Sequence, residues 1–382
     1  MTTTTITGRL ADSGETVVLH LDGGLISAIE PASGHAPHYI APGLIDLQVN
    51  GYGGHDLNDG AVTPETVSAL CQTLRTLGVT TFLPTVITAS EANIVAALSA
   101  IAAARRIDLV AFAMIPGIHV EGPSIGREDG PRGAHPLEHV RAPSLAEFAR
   151  WQAACENLVS MVTLSPDYPE APAYIAALTA QGIHVALGHT GATAEQVHAA
   201  IAAGATLSTH LGNGSAALIP RHPNFLWAQL AADQLTATFI ADGFHLPGDT
   251  LTAMLRAKGL ERSVLVSDVV ALGGMPAGRY YNPIGGIVEV QANGRIGVAD
   301  SPYLAGAGLP LCANVAIAAK LAGLSLGDAI ALATRNAGRF CGGRGRLEVG
   351  APADLVCFDW QPGDERLTIQ ATYLRGHQVF AR

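Results

Sequence analysis

Lysine is nearly missing from this chain of 382 residues, where Lys258 and Lys320 are the only two. No Lys/Arg run occurs and the net charge is −10, so a nucleic-acid-binding surface has no electrostatic basis. An anionic small molecule must then be met locally, by a placed arginine or by backbone amides. The five cysteines, Cys71, Cys155, Cys312, Cys341 and Cys357, lack C-x-x-C or C-x-H spacing, which removes a zinc ribbon and a disulfide framework and leaves buried, reduced thiols. No uncharged apolar stretch reaches the roughly 18 residues of a membrane span. The opening MTTTTITGRL has no basic segment followed by an apolar one. A cytoplasmic protein that does not engage membranes is the expectation. Charged residues are few at 14%, but 48% of the chain is hydrophobic, enough for one large α/β domain with a small accessory one.

What is present is alternation. The first 40 residues read as strands, with Val17, Leu19 and Leu21 on one face and a Gly-Gly turn at 23–24. The last 40 behave likewise: Asp354–Phe358, then Ala371–Leu374 and Gln378–Ala381 around a turn at Arg375-Gly376-His377. Residues 1–41 and 345–382 are therefore expected to form one small β-sandwich-like domain flanking residues 42–344. Between them, strand patterns end near Gln48, Pro84, Glu121, Ser165, His189, His210, Asp242 and Asp268, with helical periodicity over 64–76, 90–105, 144–154, 193–203 and 247–258. Eight such units predict an α/β fold, a (β/α)₈ TIM-type barrel with extra loops. A doubly wound sheet is the competitor, weakened because no G-x-G-x-x-G turn follows the first strand. Residues 273–315, rich in Gly and Pro, read as a long active-site insertion rather than a linker.

The chemistry concentrates at strand ends. In IHVALGHTGATAEQVHAAIAAGATLSTHLGN (183–213) two buried strands, Ile183–Leu187 and Ala205–Ser208, flank a helix over Thr193–Ala203 with Thr193 as N-cap. His189 and His210 thus lie just past neighbouring strands, at the end where α/β folds gather function. A single histidine there is ordinarily a hydrogen-bonded core residue. Glu121 at the third strand tip changes the reading, because a carboxylate and two imidazoles make a catalytic metal set with a position left for water. Asp268 faces the same mouth, suited to orient that water and accept its proton as general base. His245 lies just beyond the seventh strand. His119 shares a face with Glu121, either as support or as ordinary core.

HVEGP (119–123), RGAH (132–135), GHTGAT (188–193), THLGNG (209–214), ADGFH (241–245), SD (267–268) and NAG (336–338) occur in an order and spacing that resemble the amidohydrolase superfamily, and within it the N-acetylglucosamine-6-phosphate deacetylase family. The resemblance runs from APGLIDLQVNGYGG (41–54) to LEVGAPADLV (347–356). It implies a metal-dependent deacetylase that hydrolyses an N-acetylhexosamine 6-phosphate to amino sugar phosphate and acetate. It implies Glu121, His189 and His210 as metal ligands, Asp268 as the base that later protonates the amine, His135 as the group polarising the acetyl carbonyl, and His245 as a substrate contact. It also implies that Asn213 and Gly214 hold sugar and phosphate, and that Arg221 grips the phosphate from a neighbouring subunit of a homodimer.

Several positions depart from the wider pattern. Many amidohydrolases carry His-x-His after the first strand, where this chain has Gln48-Val49-Asn50 as in the single-metal branch. Neither lysine lies at a predicted strand end, so a lysine-bridged pair of metals has no bridge. One divalent ion is the expectation, Zn²⁺ by its N₂O donor set, with Fe²⁺, Mn²⁺ and Co²⁺ compatible by ligand type. Where the family has an aromatic-Asn-Ala-Met run and Arg-Glu-Pro-Gly, this chain has Gly212-Asn213-Gly214-Ser215 and Arg221-His222-Pro223-Asn224. The sugar is therefore less defined than the chemistry. Another N-acetyl sugar or a cyclic amide remains open as substrate. A sugar-phosphate-binding sensor is the non-enzymatic alternative, against which a ligand set paired with a base speaks.

Overall fold

A computed structural model describes residues 4–34, 36–282, 286–301 and 303–382. Eight strands form the barrel sheet: Leu44–Val49, Val79–Ile87, Ile118–Glu121, Val159–Leu164, His184–Leu187, Leu207–Ser208, Thr236–Ile240 and Ser263–Val266. Consecutive strands pair in parallel around the sheet. Ile45, Leu47, Leu83, Met161, Ala186, Leu207, Ile240, Val264 and Val266 fill the interior, with Ala337 and Cys341 packed against them. The filled interior confines polar groups to the end of the barrel where the strands stop, as in TIM-type folds generally.

The helices follow the sequence periodicity to within about two residues. They include Pro64–Arg75, Glu91–Ile107, Leu145–Ala154, Ala194–Ala202 and Gly248–Lys258. Thr193 closes a capping box with Gln196, fixing where the chain turns from His189 into its helix. The second strand runs past Pro84 to Ile87, beyond its expected end. Pro84 lies where pairing with the first strand is irregular, so its missing N–H costs little, and Thr85–Ile87 continue the ladder on the third strand.

Strands Thr4–Leu10, Thr16–Asp22, Leu25–Pro31 and Tyr39–Pro42 join Leu355–Asp359, Thr368–Leu374 and His377–Ala381 in one seven-stranded sheet. Tyr39–Pro42 links the two chain ends, running parallel to the first strand and antiparallel to Leu355–Asp359. Gly23 and Gly24 both have positive φ, 57° and 83°, which the tight hairpin between the second and third of these strands requires. The insertion after the eighth barrel strand folds as a three-stranded antiparallel sheet, Gly278–Asn282, Gly286–Val290 and Ile296–Val298. It ends sooner than expected: Leu311–Ala322 is a helix, so 311–315 belongs to the scaffold, its periodicity hidden behind the Gly/Pro-rich stretch before it. All five cysteines are buried and unpaired, and no helix among the described residues is long and apolar enough to cross a membrane.

Candidate metal centre and active site

Glu121, His189 and His210 converge, their donor atoms all within 4.8 Å of one another and all three side chains buried. Glu121 Oε1 lies 3.2 Å from His189 Nε2 and 3.0 Å from His210 Nε2. The rings stand edge to face, with centroids 4.8 Å apart. Both histidines adopt left-handed backbone, φ 50° for His189 and 28° for His210, as does Asp268 at 53°. That conformation strains a non-glycine residue and persists only where the surroundings impose it. Three such residues at one mouth mark a site rather than three accidents of turn geometry.

The donor set fits a cation. His189 Nδ1 lies 2.8 Å from the carbonyl of Pro131, which can only accept, so Nδ1 carries a proton and Nε2 is the nitrogen turned to Glu121. A positive centre, either a proton or a bound cation, must stand between that nitrogen and the carboxylate. His210 adds a second ring nitrogen, and its Nδ1 is buried without a partner. Burial pushes the Glu121 carboxyl up, but the hydrogen bonds and charges of the two imidazoles outweigh this and hold it well below the usual carboxylate range. Burial works against a charged His210 too, and the Glu121 carboxylate overcomes it, raising the imidazole above its ordinary value. The pocket thus stabilises positive charge beside Glu121.

Around this cluster the remaining polar groups are held by specific partners. Gln48 Nε2 donates to Glu121 Oε1 at 2.9 Å, and Asn50 Nδ2 donates to Asp268 Oδ1 at 2.7 Å. Asp268 is half-buried at the mouth. Burial and then the Glu121 charge raise its carboxyl to about 6, against the pull of His210, His245 and Asn50. His135 packs against His189 with ring centroids 4.4 Å apart, and its Nδ1 meets Thr88 Oγ1 at 2.8 Å. Burial, then the nearby His189 charge, pushes His135 down to about 3, so this ring is neutral. Arg132 secures its loop by donating to the His135 carbonyl at 2.9 Å.

Asp242 lies two residues past the seventh strand and orients His245. Its Oδ1 accepts the backbone N–H groups of Phe244 and His245, and its Oδ2 meets His245 Nδ1 at 2.7 Å, leaving Nε2 of the imidazole available. Gly214, φ 57°, is pressed on the metal cluster: a Cβ there would lie 2.7 Å from His189 Nδ1. Asn213 stands beside it with a buried Nδ2 that has no partner. Arg221 lies apart on an exposed loop, its guanidinium making no hydrogen bond or ion pair with the described residues. His119, on one strand face with Glu121, has both ring nitrogens engaged. Its Nδ1 donates to the Leu47 carbonyl at 3.1 Å and its Nε2 accepts from Thr163 Oγ1 at 2.7 Å.

A filled eight-stranded barrel with a Glu-His-His cluster and an aspartate at its mouth defines the class, and the chain belongs to the amidohydrolase family, whose model it matches over residues 39–379. Among its relatives, the N-acetylglucosamine-6-phosphate deacetylase of Vibrio furnissii is 34% identical over 96% of this chain and 91% of its own length. The N-acetylgalactosamine-6-phosphate deacetylase of Shewanella sp. (strain ANA-3) is also 34% identical, over 90% and 85%. Among solved structures, N-acetyl-D-glucosamine-6-phosphate deacetylase from Mycobacterium smegmatis superposes with a TM-score of 0.87 at 29% identity, covering 98% of this chain and all of the other.

Proposed function

We propose that this chain is a metal-dependent carbohydrate deacetylase that hydrolyses the acetamide of an N-acetylhexosamine 6-phosphate, releasing acetate and the amino sugar phosphate. The observation that carries the reading is the meeting of Glu121, His189 and His210 from three separate strands beside Asp268. Held by the first three, a divalent cation supplies a Lewis acid's field, which acidifies water and polarises a carbonyl. Zn²⁺ suits two imidazoles and a carboxylate. A single ion suits Gln48 and Asn50, which put amides where a second metal would need ligands.

The chain's own groups then divide the work. Asp268, ionised and fixed by Asn50, takes a proton from the attacking water and returns it to the departing amine. A neutral His135, accepting at Nδ1 from the Thr88 hydroxyl, can donate from Nε2 to the oxygen on which negative charge develops. His245, its tautomer fixed by Asp242, offers Nε2 to the sugar. Asn213 supplies an unsatisfied amide and Gly214 a backbone close to the cluster. Arg221, exposed and with its guanidinium unpaired among the described residues, suits a phosphate in the active site of a second copy, which is the reading of the oligomer as a homodimer. The sheet formed by the two chain ends is read as a small separate domain flanking the barrel, and a cytoplasmic setting accords with reduced cysteines.

N-acetylglucosamine 6-phosphate is the proposed substrate. The galactosamine epimer is a second reading, favoured by a relative of equal identity, and the Gly212-Asn213-Gly214-Ser215 segment, which lacks the family's aromatic, leaves the sugar's identity open. Acetate release from both phosphorylated epimers and their unphosphorylated sugars, on metal-quantified protein, tests this. Turnover confined to one phosphorylated sugar identifies the substrate; no acetate from any of the four overturns the reading.

A further inference from the structure

The barrel closes in an unusual way. Among the described residues, the first strand (Leu44–Val49) and the eighth (Ser263–Val266) share no backbone ladder, and the sheet is continuous only in the other direction. The Ile45 N–H is given instead to Ala333. Backbone contact between the two begins only at the mouth, where Asp268 N–H donates to the Gln48 carbonyl at 3.0 Å and Asn50 N–H to Val269 at 2.9 Å. Just below, one side chain spans the seam. Asp46, 1% exposed, accepts the Ser267 N–H at 3.1 Å and the Gln48 N–H at 3.3 Å on Oδ1, and the Ser267 hydroxyl on Oδ2.

Those two backbones carry the groups flanking the cluster. Gln48 reaches Glu121 from one side of the seam, and Asp268 follows Ser267 on the other with its left-handed φ. Burial raises this carboxyl to about 7, while the hydrogen bonds from Ser267 and Gln48 favour its ionised form and offset part of that cost. We infer that Asp46 is a positioning residue: its carboxylate clasps the first and eighth strands so that the Gln48 amide and the Asp268 carboxylate are held at working distance across the mouth. The inference rests on the reading of Asp268 as general base. Asp46 touches no reacting atom and acts through Ser267 and the Gln48 backbone.

Asp46→Ala removes all three acceptor contacts. On metal-loaded protein it is expected to lower kcat by about 10- to 100-fold, the scale of a misplacement near 1 Å, while KM for N-acetylglucosamine 6-phosphate stays within about threefold and metal stoichiometry is unchanged. Asp46→Asn keeps an oxygen for both backbone N–H groups, and its NH₂ can donate to a turned Ser267 hydroxyl. It should restore kcat to within about fivefold of the parent. Ser267→Ala deletes the Oδ2 contact, together with the hydroxyl's longer contacts to the Gln48 carbonyl at 3.5 Å and the Val269 N–H at 3.4 Å; it should cost kcat about threefold or more at unchanged KM, and it decides the matter if Asp46→Ala does not fold. The clasp is overturned if Asp46→Ala or Ser267→Ala keeps the parent kcat, if KM rises and metal loading falls in step with the loss of kcat, or if Asp46→Asn is as impaired as Asp46→Ala. Asp268→Asn is measured alongside. Full activity there defeats the base on which the inference rests, whereas an inactive Asp268→Asn beside a fully active Asp46→Ala defeats the clasp alone.

Discussion

Gly214→Ala is a single methyl group aimed at a metal ligand. The added Cβ would lie 2.7 Å from His189 Nδ1, 3.0 Å from Cε1 and 3.1 Å from Cγ, where ordinary contact begins at 3.4 Å. Either the loop retreats or the imidazole moves by about 0.7 Å. The ring has little freedom, because its Nδ1 is held at 2.8 Å by Pro131 and the rings of His135 and His210 pack against it. Metal–ligand distances tolerate only about ±0.2 Å, so a shift of that size takes His189 Nε2 off its coordination position. Disturbing the partners that orient a ligand typically costs 10- to 100-fold in metal affinity, and about 100-fold is expected here because the ligand itself moves. The φ of 57° adds a backbone penalty of about 1–2 kcal/mol for any residue with a Cβ. Competition titration against a chromophoric chelator measures the affinity, and thermal unfolding of the metal-free protein measures the backbone cost. Because the defect lies in binding, excess metal should restore most of kcat. Parent affinity in the variant, within about twofold, would refute the packing argument.

Three further outcomes follow from the same geometry. Asp268→Asn should bind metal normally and lose about 10²- to 10⁴-fold in kcat, measured by acetate release; undiminished activity removes it as the base. Arg221→Ala should raise KM for the phosphorylated sugar and leave the unphosphorylated one unchanged, and equal losses on both would show that it does not read phosphate. The base must be ionised to act, so kcat/KM should fall as pH drops through the Asp268 carboxyl, which burial and the Glu121 charge raise to about 6. A cation offsetting the Glu121 charge moves this limb lower, not higher, and a limb well above pH 7 would contradict the assignment.

Strand ends and ligand candidates were legible because their signals are local. Short apolar runs ending in His189 and His210, with a Thr193 cap between, state strand, loop and helix within thirty residues, and Thr193 is the N-cap as the spacing predicts. Periodicity alone located the second strand but ended it at Pro84, since irregular pairing with a neighbour is a tertiary fact. What stayed hidden was side-chain partnership across strands. Gln48 and Asn50 stood out only as replacements for His-x-His, yet they hold Glu121 and Asp268. Thr88 and the Pro131 carbonyl, which set the rings of His135 and His189, carry no motif at all. Asp242 had a faint signature, three residues before His245 after a strand. His119 stayed open between support and ordinary core, because period two says which side a residue faces and nothing about which partner claims it; its partners are the Leu47 carbonyl and Thr163.

Titrating the metal-free protein with Zn²⁺ while following acetate release from N-acetylglucosamine 6-phosphate tests the central claim most directly. The rate should rise in proportion to bound metal and level off at about one ion per chain, and Glu121→Gln should neither bind the ion tightly nor release acetate. A metal-free chain turning over at the full rate, or a Glu121→Gln chain that still loads and hydrolyses, would contradict it.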